Sequence, residues 1–184
     1  NELNPSDAQP FIKKDVLYLN TALLSDFDKN YATIAHEFQH LVSNHLKIHQ
    51  SDGGVFTQFD LWIEEGLAES AADIYCKEKD KANNFIRSKN LDVLHNSGDI
   101  ANGEGFIYWN QKIENYALSY LFFQYLRIHS NLGLDFYRHI QQQEVRNYQA
   151  VENLFVDSGF FFEDLLLNFH IAMVVDSDDP NSVY

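Results

Sequence analysis

The sequence predicts a mainly α (α+β) domain with one or two short strands. Apolar residues recur at helical spacing over most of the chain, strand-favouring runs are few, and 45% hydrophobic with 22% charged residues is typical of folded domains. A chain of 184 residues can bury one sizeable core without disulfides. We therefore expect residues 1–184 to form a single domain, with too few strands for a doubly wound sheet.

The beginning of the chain contains one candidate strand and one clear helix. Residues 15–19 are a short apolar run of strand-favouring types. Apolar residues then recur every three to four positions over residues 31–49, which predicts a helix. Asp28 or Asn30 can cap its start.

Beyond a glycine-containing turn, the pattern predicts further helices. Asp60 is placed to cap a helix that runs to about Lys79. Residues 112–130 are apolar on nearly every side, which predicts a central buried helix. The other predicted elements, in chain order, are a weaker helix over 81–95, a loop over 96–105, a short strand over 106–109, and helices over 133–143 and 148–175 with a break around Gly159.

The charge balance and the single cysteine exclude several classes of function. Thirteen Lys and Arg face 27 Asp and Glu, so the net charge of −14 repels nucleic acid, and we expect no such partner. No apolar run approaches the ~20 residues that a membrane-spanning helix needs. Cys76 is the only cysteine, which excludes an intrachain disulfide and a thiolate zinc cluster, and we expect it in the core. Because the chain begins at Asn1, we expect it to be the excised part of a longer precursor.

Residues 36–40 read His-Glu-Phe-Gln-His, an H-E-x-x-H pattern within the first predicted helix. Side chains four positions apart lie ~6 Å from each other on one helix face, so His36 and His40 can share a Zn²⁺ ion at ~2.1 Å. Glu37 then projects beside the ion as a general base. The alternative is an ordinary amphipathic helix with solvated polar residues, so a third ligand elsewhere must support the motif.

A third histidine close to the motif is excluded by the sequence. In the extended pattern H-E-x-x-H-x-x-G-x-x-H, the glycine and the third histidine would stand at Ser43 and Leu46. His45 and His49 are off that register, and we expect them at the surface.

A glutamate on a following helix is the other common source of a third ligand, and residues 62–69 offer it. One stripe of this helix, with spacings of 4, 3 and 4, carries two acids and then small apolar residues: Glu65, Glu69, Ala72 and Cys76. Inward carboxylates need partners. A metal would satisfy Glu65, and the second nitrogen of a ligand imidazole would satisfy Glu69. The alternative is a solvated acidic face.

Together these segments resemble the gluzincin metallopeptidases, whose pattern is H-E-x-x-H followed by a helix of the type W-L-N-E-G-x-A. Within that group the chain looks closest to the hyicolysin family of bacterial metalloendopeptidases. The resemblance rests on A-H-E-F-Q-H-L at 35–41, W-I-E-E-G-L-A at 62–68 and Y-A-L-S-Y-L-F-F-Q-Y-L at 116–126. It implies a zincin-like catalytic domain with an active-site helix, a glutamate-ligand helix and one catalytic zinc ion.

The resemblance also implies roles for the site residues. Glu64 stands where the family usually has Asn, so the choice between Glu64 and Glu65 as ligand stays open, although helix phase favours Glu65. Tyr120 is the second candidate, after Tyr116, for donating a hydrogen bond to the oxyanion. Its alternative role is packing in the core. The implied roles are zinc binding by His36, His40 and Glu65, proton transfer from a zinc-activated water by Glu37, support of a ligand histidine by Glu69, and donation to the oxyanion by Tyr116.

The implied activity is hydrolysis of peptide bonds in a peptide or protein substrate by an enzyme that bacteria export. Two alternatives stay open: a zincin-like binding or structural module without catalysis, and a gluzincin exopeptidase. The first is disfavoured because all the expected side chains are present together. The second is disfavoured because the chain has no G-x-M-E-N segment, its sole methionine being Met173. We expect an upstream region of the precursor to complete or inhibit the cleft.

Overall fold

The computed structural model describes residues 27–50, 58–79 and 84–175, and helices dominate these ranges. Among the described helices, none is long and apolar enough to cross a membrane. The mainly α prediction is confirmed for this part of the chain. In chain order the helices are α1 Phe27–Gln50, α2 Leu61–Lys79, α3 Phe85–Asn96, α4 Gly98–Ala101, α5 Ile113–His129, α6 Asp135–Gln141, α7 Gln149–Glu152 and α8 Phe162–Val174, with a 3₁₀ turn at Val156–Ser158.

The described residues contain no β-strand, so the strand predicted over residues 106–109 is wrong. Phe106 is buried, which explains the apolar signal, but no neighbouring strand supplies ladder hydrogen bonds. The side chain of Asn115 holds the segment instead. Its Nδ2 donates to the Gly105 carbonyl at 2.6 Å, and its Oδ1 accepts from the Asn110 N–H at 3.1 Å.

The beginning of α1 also differs from the prediction. The helix starts at Phe27, so Asp28 and Asn30 lie within it rather than cap it. Asn30 and Ala32 are buried, and Ala32 packs in a small cluster with residues of α2, α3 and α5. Burial on this side extends the helix toward its N-terminus. The other predicted strand, over residues 15–19, lies outside the described residues.

The remaining helix predictions agree with the structure apart from their ends, except that the helix predicted between residue 148 and Gly159 is only the short helix α7, followed by turns. The loop predicted over residues 96–105 contains the short helix α4. The break predicted near Gly159 is confirmed, because the chain there forms a 3₁₀ turn before α8. Gly159 has a φ of +73°, in the left-handed region that favours glycine.

Helix α2 occupies a central place because it packs against both α1 and α5. A large core of aromatic and aliphatic side chains surrounds Trp62 of α2 and Phe122 of α5. A smaller cluster joins α1, α2, α3 and α5, and it contains Cys76 as the sequence predicts. The two clusters fix the position of α2, and with it the acids that α2 carries.

Gly66 allows α2 and α5 to approach closely. A Cβ atom at this position would lie 2.5 Å from the ring of Phe123, which is fully buried. Only glycine therefore fits without moving the aromatic core. This close contact positions the residue just before Gly66, which is Glu65.

Candidate metal centre

Three side chains from α1 and α2 converge on one point. Nε2 of His36 lies 3.2 Å from Oε2 of Glu65, and Nε2 of His40 lies 3.6 Å from the same oxygen. The two imidazoles, one helical turn apart, have ring centroids 5.0 Å apart. One ligand atom from each of the three residues lies within 4.8 Å of the other two, so the group could hold a metal ion.

The chemistry of this group fits zinc. Oε2 of Glu65 is buried and accepts no hydrogen bond of normal geometry. A buried carboxylate oxygen without a well-formed hydrogen bond carries a desolvation cost of about 1–3 kcal/mol, so the site favours a cation that this oxygen can bind. Two imidazole nitrogens and one carboxylate are a donor set typical of catalytic zinc, which keeps a fourth position open.

The pKa values describe the electrostatics of the group when no metal is bound. Burial alone would raise the pKa of Glu65, but His36 and then His40 outweigh it and lower the pKa to about 2. The carboxylates of Glu64 and Glu65 raise the pKa of His40 to about 9. The two carboxylates therefore favour the protonated form of His40, and a metal ion at this nitrogen would compete with the proton.

A second carboxylate lies behind each imidazole. Oε1 of Glu69 is 3.6 Å from Nδ1 of His36, and Oε2 of Glu64 is 3.8 Å from Nδ1 of His40. Glu64 thus faces the rear of His40, whereas Glu65 faces both Nε2 atoms. Both Glu64 and Glu69 are buried, so the alternative of a solvated acidic face is wrong for these two acids.

The two tyrosines that the sequence singles out have different surroundings. Burial raises the pKa of the Tyr116 phenol, and so do the charges of Glu65, Glu69 and Glu37, so this side chain lies close to the centre. Tyr120 is only 1% exposed and belongs to the smaller core cluster. Tyr116 is thus within reach of the charges of the candidate site, whereas Tyr120 packs in the core.

Two further residues that the sequence singles out, the predicted base Glu37 and His45, are exposed. Glu37 is exposed on α1 beside His36, and its charge reaches Tyr116. His45 is exposed as expected. The side chain of His49 lies outside the described residues.

Sequence reasoning missed the residues that hold Glu69. Nζ of Lys89 lies 3.1 Å from each carboxylate oxygen of Glu69, and Nδ2 of Asn90 donates to Oε2 at 3.1 Å. Both residues belong to α3, about 20 positions further along the chain. The sequence indicates only that an inward carboxylate such as that of Glu69 needs a partner. It does not indicate which residue that partner is.

Comparison with known proteins gives an independent observation. No family model matches the chain. The chain is 31% identical over 176 residues to the neutral metalloprotease ShpI of Staphylococcus hyicus. This similarity supports a metalloprotease family. The alignment takes in 88% of this chain and 38% of ShpI, so the chain spans less than two fifths of that relative's length.

Proposed function

We propose that this chain is the catalytic domain of a zinc-dependent metalloendopeptidase of the H-E-x-x-H gluzincin type, related to the hyicolysins. The observation that carries the proposal is the convergence of His36, His40 and Glu65 around a buried carboxylate oxygen without a hydrogen bond. The similarity to a neutral metalloprotease supports it independently. The three side chains would bind one zinc ion.

Individual residues of the chain then have separate roles in amide hydrolysis. Zinc, when bound, supplies a Lewis acid that polarises a carbonyl group and acidifies water. Glu37, exposed beside the ligands, accepts a proton from the attacking water and delivers it to the leaving amine. The hydroxyl of Tyr116 donates a hydrogen bond to the developing oxyanion. Glu65 and Glu69 raise the pKa of this phenol along with burial, which keeps it protonated as a donor.

The wider assignment follows from the same family. In this proposal α1 is the active-site helix and α2 the glutamate-ligand helix of a zincin-like domain covering residues 1–184. The substrate is a peptide or protein, and the enzyme acts outside the bacterial cytoplasm. A region outside this chain completes or inhibits the cleft, in keeping with the greater length of ShpI.

The decisive variant is Glu37→Gln, which removes the carboxylate that acts as the base and keeps the shape of the side chain. We expect cleavage of a denatured protein substrate to fall by about 100-fold or more, because general bases contribute 10²- to 10⁴-fold. Zinc content, measured by atomic absorption after dialysis, should stay at one ion per chain. Glu163→Gln, an exposed acid on α8, is the matched control and should cleave like the wild type.

Three outcomes would contradict parts of the proposal. Full activity of Glu37→Gln would exclude Glu37 as the base. Cleavage that a chelator does not stop would exclude metal catalysis. A wild-type chain that binds one zinc and does not cleave would leave the metal centre standing, would contradict the expected cleavage by this chain alone, and would mean that the region outside the chain completes the cleft.

A further inference from the structure

Helix α3 holds the carboxylate of Glu69 in a defined position. The ammonium group of Lys89 lies 3.1 Å from both carboxylate oxygens, and the Asn90 amide donates to Oε2 at 3.1 Å. Glu69 is buried and Asn90 is fully buried, so water does not compete strongly for these bonds. The carboxylate therefore has little freedom to rotate.

Helix α3 is itself fastened to α2 close to Glu69. The side chain of Asn84, which caps α3, donates to the backbone carbonyl of Asp73 at 3.2 Å. Asp73 lies one helical turn after Glu69 on α2. Further packing of α3 against α5 completes the support. Lys89 thus extends from a helix whose position relative to Glu69 is fixed.

The chain of contacts continues to the candidate metal ligands. Oε1 of Glu69 faces Nδ1 of His36, and Nε2 of the same ring faces Glu65. An imidazole whose Nδ1 is held by a carboxylate presents Nε2 in one orientation and one tautomer. At 3.6 Å the Glu69–His36 contact is an ion pair, and a carboxylate fixed at this distance favours one direction of the His36 Nε2 lone pair.

We propose that Lys89 is a positioning residue of the metal centre, which holds Glu69 against His36 and so orients this imidazole toward zinc. Lys89 acts through Glu69, to which the Asn90 amide also donates a hydrogen bond. The inference rests on the proposed metal centre. The inference gives helix α3 a role in metal affinity. This role could not be recognised from the sequence, because α3 lies far along the chain from the H-E-x-x-H motif.

The test is zinc affinity, measured by competition with a chromophoric chelator, for wild-type protein and the Lys89→Met variant. The Lys89 side chain is 37% exposed, and methionine keeps most of its length without the charge. Supporting groups of metal-bound histidines contribute about 10- to 100-fold in affinity, and we expect the variant to lose about tenfold. Cobalt substituted for zinc should show an altered visible absorption spectrum, because this spectrum reports ligand geometry.

Two further variants separate positioning from a general structural effect. Lys89→Arg keeps a cation that can bind both carboxylate oxygens, and it should restore most of the zinc affinity. Lys112→Met is the matched control, because Lys112 also contacts two acids, Asp99 and Glu104, that are not part of the centre. It should bind zinc like the wild type.

A double-mutant cycle tests whether Lys89 acts through Glu69. In the Glu69→Gln background, Lys89→Met should cause no further loss of zinc affinity. An equal loss in both backgrounds would overturn the inference, as would wild-type affinity of Lys89→Met or an equal loss in Lys112→Met. If the wild-type chain binds no zinc, the proposed metal centre fails as well, so the two failures are distinguishable.

Discussion

The two imidazoles of the centre differ in their surroundings. His36 is 15% exposed, and its Nδ1 lies 3.6 Å from Glu69. His40 is 25% exposed, and its Nδ1 lies 3.8 Å from Glu64. Each side of the centre therefore has the same plan, an imidazole with a carboxylate behind it, but the His36 side is more enclosed.

The supports of the two carboxylates differ more than the imidazoles do. Glu69 is held by side chains of helix α3. The charge of Glu64 acts on the guanidinium of Arg146, which lies in the connection between α6 and α7. Burial lowers the pKa of this guanidinium, and Glu64 acts in the opposite direction. The Arg146 guanidinium lies 4.4 Å from the ring centre of Phe59. The backbone carbonyl of Arg146 accepts a hydrogen bond from the Asp60 N–H at 2.8 Å.

Side chains of a packed helix thus hold the carboxylate on the His36 side, whereas the charge of the carboxylate on the His40 side acts on a residue of a connecting segment. Connecting segments generally open at lower free-energy cost than packed helices. We therefore expect the His36 side to contribute more to metal affinity, and the His40 side to respond more to conditions.

The largest effect is expected at the residue that both sides share. Glu65→Ala should lose zinc during dialysis, with an affinity loss above the roughly 100-fold that supporting residues contribute. The reason is that Oε2 of Glu65 faces the Nε2 atoms of both histidines. Zinc content after dialysis gives the measurement. A Glu65→Ala variant that keeps one zinc per chain would assign the ligand role to Glu64 instead.

The next effect compares the two supporting carboxylates directly. Glu69→Ala and Glu64→Ala should each weaken zinc binding by about 10- to 100-fold, with the larger loss for Glu69→Ala because its contacts to α3 fix it more firmly. Chelator competition measures both, and thermal unfolding of each variant controls for loss of the fold. Equal losses, or a larger loss for Glu64→Ala, would show that the helix support gives no advantage.

Local patterns explain what the sequence could predict. The H-E-x-x-H motif places His36 and His40 on one face because four residues make about one turn. The phase of α2 places Glu65 and Glu69 on one inward stripe for the same reason. Helices α1, α2 and α5 are long enough to be recognised without tertiary contacts, α1 by its apolar periodicity and α5 by apolar residues on nearly every side.

Tertiary contacts explain what the sequence could not predict. Lys89 meets Glu69 only because α3 folds back against α2, and no local spacing encodes that contact. Glu64 lies off the inward stripe by helix phase, yet it is buried because α1 also covers this side of α2. The strand predicted at residues 106–109 failed because an apolar run does not supply a partner strand.

A further prediction concerns the His40 side of the centre, which we expect to respond more to pH. The pKa of His40 is raised to about 9, chiefly by Glu64, so a proton competes with zinc below that pH. Apparent zinc affinity should rise by about tenfold per pH unit from pH ~7 to ~9 and then level off, since one proton is displaced. Removing the Glu64 charge lowers the pKa of His40, so in Glu64→Gln the profile should level off at a lower pH.

The matched variant is Glu69→Gln, because Glu69 does not act on the pKa of His40. Its profile should lie below that of the wild type by a constant factor and level off at the same pH. The ratio of Glu64→Gln to wild-type affinity should instead grow as the pH falls, because weaker proton competition offsets the loss of support. Parallel profiles for all three proteins would mean that the two sides of the centre do not differ in their response to protons, and the comparison would then rest on Lys89 alone.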